Sequence, residues 1–179
     1  MPVLIAALLI PGLAVAQRWP GSPQPVNSPK QKELRKMSLV DQSFVGAAAA
    51  HLDANVKLGE LAQSRGNTAA VRQLGGELMR TQGEFLHELQ QLAHSAEWPL
   101  PASPTFRRIE IYQHLQHLPA DGFDRALLDQ LATDLADTVE LFRSEAMSGT
   151  HISLRAFARR HKRELKREVN ALPVDRNPR

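Results

Sequence analysis

The sequence has no cysteine. That removes disulfide frameworks, thiolate metal sites and cysteine nucleophiles in one step, and leaves the redox compartment open. Aromatic residues are scarce, with six Phe, two Trp and one Tyr in 179 residues. No set of rings is left over to stack on bases beside the basic stretches, so nucleic acid is not an expected partner. Beyond the first sixteen residues no apolar run approaches the roughly 20 residues that a membrane helix needs. Gly-x-Ser-x-Gly, a phosphate-binding loop and a dinucleotide fingerprint are all missing. So is any segment with the two-residue period of a strand. These absences leave a helix-forming chain without a recognisable catalytic set, and the expectation is that it is not an enzyme.

Residues 1–16 read as a signal peptide. The stretch 3–15 is apolar apart from a break at Pro11 and Gly12, and Ala14, Val15 and Ala16 offer the small-x-small pattern of a cleavage site. No Lys or Arg precedes the run. The alternative, a buried N-terminal helix, fits badly with Pro11 inside it. Residues 17–37 hold four prolines and then a basic stretch, and read as a disordered linker. Residues 173–179 read as a basic tail. The expected address is the periplasm or cell envelope, with no transmembrane span in the mature chain.

Charge is unevenly placed behind the formal total of +3. Residues 17–37 carry net +4, residues 38–150 net −7 and residues 155–179 net +6. An acidic body is thus flanked by two basic ends.

Between the ends, residues 38–172 read as four amphipathic helices. The first starts at Ser38, with Asp41 placed for a capping box, and stops at Gly66 and Asn67. Its stripe is Phe44, Ala48, His51, Asn55, Leu58 and Ala62. The second, capped by Asn67 or Thr68, carries Val71, Leu74, Leu78, Gln82, Phe85, Leu89 and Leu92. Prolines break the pattern over 96–105, and 106–118 reads as a crossover or short extra helix. The third runs from about Gly122, with Asp121 as cap, to Met147. Its stripe is Phe123, Leu127, Leu131, Asp134, Thr138, Leu141 and Ala146. The fourth runs from about Ile152 to Ala171 with Leu154, Phe157, His161, Leu165, Glu168 and Leu172 aligned. The expected fold is all-α, an antiparallel four-helix bundle.

A family resemblance accompanies this pattern. Its phrases are Asp-Gln-Ser-Phe at 41–44, Leu-Gly-Glu-Leu-Ala at 58–62, Val-Arg-Gln-Leu-Gly at 71–75 and Leu-Gln-Gln-Leu-Ala at 89–93. They continue with Gly-Phe-Asp at 122–124, Val-Glu-Leu-Phe at 139–142, Ser-Gly at 148–149 and Leu-Arg-Ala-Phe-Ala at 154–158. In this order and spacing they resemble the domain-of-unknown-function family 4142. The resemblance implies an exported bacterial protein, periplasmic or associated with the outer membrane, with a ferritin-like bundle. The family pattern places a glutamate on helix one, a histidine on helix two, an Asp-His pair on helix three and a histidine late on helix four. Those positions are Asn55, Gln82, Asp134 with Leu135, and Glu168 in this chain.

Two constellations stand out. The first is a set of polar residues on apolar stripes: His51, Asn55, Gln82, Asp134, Thr138, His161 and Glu168. Facing helices of a bundle build two-metal sites from inward Glu and His, including paired Glu-x-x-His motifs. Only Glu84 and His87 have that spacing here, off the stripe. The expectation is a hydrogen-bonded layer, with Asp134 paired to His161 or to water, and no metal or other cofactor. In the alternative, a transition metal is held by Asp134, Glu168, His161 and His51 in a ferritin-like metal or redox protein. The second constellation is Arg155, Arg159, Arg160, Lys162, Arg163, Lys166 and Arg167 on the last helix, suited to an anionic envelope surface or another envelope protein. The reading that follows is a non-enzymatic helical binding or protective module.

Overall fold

The computed structural model describes residues 37–100 and 106–173. Residues 1–16, read from sequence as a signal peptide, lie outside them, as do nearly all of the segment read as a linker and the tail beyond Pro173. The described residues form five helices and no strand: α1 (Leu39–Arg65), α2 (Ala69–Ser95), α3 (Phe106–His117), α4 (Ala120–Ser148) and α5 (Ile152–Ala171). Among them no helix is long and apolar enough to cross a membrane.

Local chemistry fixes most of the ends. The Ser38 hydroxyl accepts from the Asp41 amide at 3.1 Å while the Ser38 amide donates to the Asp41 carboxylate at 3.0 Å. That reciprocal pair is a capping box, completed with Asp in place of the usual Glu. Thr68 caps α2 by accepting from the Val71 amide at 3.2 Å. At the far end of α2, Glu97 takes a positive φ of 55°, and the Trp98 amide donates back to the Ala93 carbonyl at 2.8 Å. This left-handed closure turns Trp98 inward, where it is buried with its ring edge-on to His151 at 4.7 Å. Helix α4 starts two residues earlier than the sequence pattern suggests. Pro119 takes the cap position and Asp121 falls in the first turn. Proline tolerates that place because the helix leaves its first amides unpaired anyway.

Helix α1 packs along α2 and α4, and α4 packs along α5. Side chains of α5 reach α2 from the other side, Glu168 meeting Thr81 and Gln82, and His161 meeting Glu88. Helix α3 rests on α1 and α4. Its C-terminal carbonyls at Leu115 and Leu118 accept from Arg65 at 2.8 and 2.7 Å, and the same guanidinium lies 4.6 Å over the Phe123 ring. The Leu115 carbonyl also accepts from the Leu118 amide at 3.3 Å, and the arginine supplements that weak closing turn, so one arginine caps α3 from α1.

The core falls into two clusters. One holds Met37, Phe44, Leu52, Phe85, Leu89, Trp98, Phe142, Leu154, Phe157 and Leu165. Met37, read from sequence as the end of the linker, is therefore part of the folded core. The other holds Leu58, Leu61, Leu78, Leu115, Phe123, Leu127, Leu131, Leu135 and Leu172. The residues between them in sequence on each long helix are polar: Asn55, Gln82, Thr138 and Glu168.

Candidate functional site

Those polar residues form one connected layer across the four long helices. The Asn55 amide nitrogen donates to the Gln82 side-chain oxygen at 3.3 Å and to the Thr138 hydroxyl at 3.4 Å. Thr138 gives its own proton to the Asp134 carbonyl at 2.6 Å. Its oxygen is then an acceptor for His51 Nδ1 at 3.3 Å, which places the proton of that ring on Nδ1. On the other side the Gln82 amide and the Thr81 hydroxyl both reach the Glu168 carboxyl. Asn55, Gln82 and Thr138 have no solvent exposure. Buried polar groups persist when they satisfy one another, and this chain of bonds does so for most of them. The Asn55 side-chain oxygen is the exception and meets no donor.

The single Thr81 hydroxyl proton already has an acceptor in the Glu77 carbonyl at 3.0 Å. A neutral Glu168 can donate to the Thr81 oxygen, leaving both contacts satisfied. Burial pushes the Glu168 pKa up, against the bonds from Thr81 and Gln82, in the direction that favours this neutral form.

The remaining members of the sequence-derived set lie elsewhere. Asp134 does not pair with His161. It accepts from Gln130 at 3.0 Å and borders a groove of about 340 Å³ lined also by Asp53, Lys57, Leu58 and Tyr112. The buried stripe of α4 steps from Leu131 to Leu135 and Thr138, and this turns Asp134 to the edge. His161 packs on Phe85 and Phe157 and meets the Glu88 carboxylate at 2.7 Å. Burial lowers its pKa, with Glu88 opposing. Glu84 is exposed and paired with Arg80 at 3.2 Å. Thus His51, Asp134, His161 and Glu168 do not converge. Among the described residues no group of three or more His, Asp or Glu is placed to hold a metal ion. The centre of the layer offers two amides, a hydroxyl and one carboxyl. That donor set does not fit a two-metal carboxylate site.

A second polar cluster was not visible from sequence. The Asp41 carboxylate, besides capping α1, accepts from the Thr150 and His151 amides at 2.9 and 3.2 Å and from the Thr150 hydroxyl. His151 caps α5 without a side-chain bond of its own, so one buried carboxylate serves the N-termini of two helices. Burial alone would raise the Asp41 pKa. The donors on Thr150, Ser38 and His151 outweigh it and hold the group well below the usual carboxylate range. Beside it lies Glu145, 1% exposed, whose carboxyl oxygens meet no hydrogen-bond partner. Its pKa is pushed up to about 7 by burial, with the Asp41 charge adding and Arg155 opposing. A Cβ on Gly149 would sit 2.1 Å from a Glu145 oxygen. Glycine ends α4 here because it leaves room for that side chain, its φ being an ordinary −60°. The spacing of Glu145 from Thr138 and Phe142, seven and three residues, was the signal for its burial.

On α5 the seven basic residues divide. Arg155 has a buried Nε without a hydrogen-bond partner and lies near Glu145. Arg159 donates to the Ala146 carbonyl at 3.3 Å, at the C-terminal end of α4. Arg160 pairs with Glu88 and Arg167 with Glu164. Lys162, Arg163 and Lys166 have no carboxylate partner among the described residues, and Arg163 and Lys166 are exposed.

An all-helical fold whose long helices share one polar layer defines the class. The chain matches the domain of unknown function (DUF4142) over residues 26–172, and it belongs to that family. No curated protein and no solved structure matches it.

Proposed function

We propose that the protein is an exported, non-enzymatic envelope protein that docks on an anionic surface of the cell envelope through the outer face of α5. In this reading the four long helices are an antiparallel bundle with ferritin-like connectivity, α3 serving the crossover. Paired contacts whose numbers run in opposite directions support it: Asn55 with Gln82 and Gly59 with Gly75 on α1 and α2, Asp41 with Thr150 and Asn55 with Thr138 between α1 and α4 with its closing turn, and Thr81 with Glu168 and Glu88 with His161 on α2 and α5.

One observation carries the docking. Leu154, Phe157, Ala158 and Leu165 of α5 are wholly buried in the core, while exposed Arg163 and Lys166 and half-buried Lys162 have no carboxylate partner among the described residues. With Leu154, Phe157, Ala158 and Leu165 taken up by the core, what the row of Lys162, Arg163 and Lys166 offers a surface is charge. Lys162→Glu, Arg163→Glu and Lys166→Glu combined should leave helicity unchanged and abolish cosedimentation with isolated envelopes. Salt at about 0.5 M should release the unaltered protein, since screening at that strength shortens electrostatic reach to a few ångströms. A triple variant that cosediments like the parent would sink the proposal.

The second reading, a ferritin-like metal or redox protein, would have to gather ligands that here face different partners. Plasma mass spectrometry of untagged protein separates the two readings. A stoichiometric transition metal would put the second one first.

A further inference from the structure

The most exposed apolar side chains gather at one end of the molecule. Leu39 opens α1, Met147 lies in the last turn of α4 and Ile152 opens α5, at 80%, 68% and 80% exposure. Asp41 brings them together, because its bonds to Thr150 and His151 seat the first turn of α1 against the α4–α5 turn. None of the three belongs to the core, which starts at Phe44 on α1 and at Leu154 on α5. Scattered exposed apolar residues are ordinary, but a group at one tip marks a contact surface.

Charge tells what the tip meets. Arg159, Arg163 and Lys166 follow Ile152 by seven, eleven and fourteen residues, which at 100° per residue keeps all three within about 40° of its line. The apolar tip therefore begins the same face that carries Arg163 and Lys166 of the basic row. Four more cations, Lys30, Lys32, Arg35 and Lys36, precede Met37 in the sequence, with Glu33 as the lone acid among them.

We infer that this tip enters an anionic lipid bilayer, with Leu39, Met147 and Ile152 passing into the boundary between headgroups and acyl chains while the basic row meets the phosphates. The inference rests on the proposed role of the α5 outer face and names its partner. A polyanionic glycan would satisfy the row and offer nothing to the tip. A second copy of the chain would set the same cations against each other. Charge attraction and apolar insertion together give peripheral attachment where either alone is marginal.

The absence of cysteine makes the test clean, since a single introduced one takes an environment-sensitive dye uniquely. Ile152→Cys and, as a control on exposed α2, Gln73→Cys are labelled in the protein purified from the cell envelope. They are titrated with phosphatidylglycerol-containing vesicles, phosphatidylcholine vesicles and lipid-free polyphosphate. The expected result is a blue shift at position 152 with phosphatidylglycerol only, none at position 73, and at least tenfold weaker vesicle binding in Leu39→Ser with Met147→Ser. That double variant should keep its affinity for polyphosphate. Vesicle binding without the shift, and undiminished in the double variant, overturns the bilayer insertion while leaving the α5 face as an anion-binding surface. Failure to bind both vesicles and polyphosphate removes that surface as well. A lipid-free dimer, seen by sedimentation and dissolved by the double variant, overturns the inference in favour of a second copy.

Discussion

The two halves of the core solve the same packing problem with different side chains. Near the start of α1 the space between helices is filled by rings. Phe44 meets Phe142 at 5.2 Å and 75°, and Phe157 at 6.3 Å and 64°, both edge-on. Beyond the polar layer the filling is leucine, with α1 and α2 drawn together where Gly59 faces Gly75. The layer sits where one regime changes to the other. Sliding a helix by one turn would press Asn55 or Gln82 against a ring or a leucine and strand its hydrogen bonds, so the layer sets the register that both halves then fill.

The largest expected effect comes from emptying the aromatic half. Phe142→Ala should cost about 4 kcal/mol, and Leu131→Ala in the leucine half about 3 kcal/mol, measured by urea denaturation. A greater loss at Leu131 would reverse the comparison and mark the leucine half as the less able to collapse. Next comes the helix contact. A Cβ at Gly75 would lie 2.5 Å from both the Gln63 amide nitrogen and the Gly59 carbonyl oxygen, so backbone has to move. Gly75→Ala should cost about 2 kcal/mol by overpacking. Gly83, on the same helix, has nothing within 4 Å of its would-be Cβ. Gly83→Ala should stabilise by roughly 0.5–1 kcal/mol through helix propensity alone. Equal effects from the two alanines would remove the close approach from the account.

How far the sequence foretold this differs along each helix. The caps at Ser38 and Thr68 and the stops at Gly66 and Gly149 were legible because they depend on neighbours three or four residues away. The stripe of α1 held at Phe44, Ala48, Asn55, Leu58 and Ala62, but Leu52 is fully buried where His51 was expected, and His51 is half-buried at the edge. On α2, Gly75 and Ala93 are buried where Leu74 and Leu92 were expected, because small residues face the nearest helix. On α4, Leu135 and Phe142 replace Asp134 and Leu141. There a step of four instead of three moved the stripe and removed Asp134 from the layer. Asp41 reaching Thr150 across 109 residues was beyond any periodic reading. Glu145 follows from it, since that neighbouring charge helps keep the carboxyl neutral.

The buried acids near the tip and in the mid-core layer respond to pH to different degrees. Glu145 is raised on folding from 4.5 to about 7, so the folded state binds the proton more tightly. Its contribution is fully present below pH 4.5 and is lost as pH rises through 7. Asp41 on α1 and Arg155 on α5 act on it, and Asp41 has the opposite sign, being lost only in acid. Between pH 5 and pH 8 the Glu145 contribution should fall by about 2 kcal/mol, against an opposite trend from His161, whose pKa is lowered, and Glu145→Gln should remove that component of the slope. Urea midpoints at the two pH values check it, and an unchanged slope in the variant would assign the loss elsewhere.

The smallest expected effect is at Glu168. If the layer is a set of neutral hydrogen bonds, glutamine is a close replacement: its amide donates to the Thr81 oxygen and its carbonyl accepts from Gln82. Glu168→Gln should therefore change stability by less than about 1 kcal/mol at pH 5, within the net worth of one hydrogen bond. At pH 8 it should be mildly stabilising, because the raised pKa makes the wild-type carboxyl lose stability as pH rises and glutamine has no proton to lose. A carboxylate that had to stay charged, as an ion-pair partner or a ligand, would instead show a loss of about 2 kcal/mol or more at both pH values. Near-silence at Glu168 beside a clear slope at Glu145 would separate a layer that fixes register from a buried acid held against the charge of Asp41.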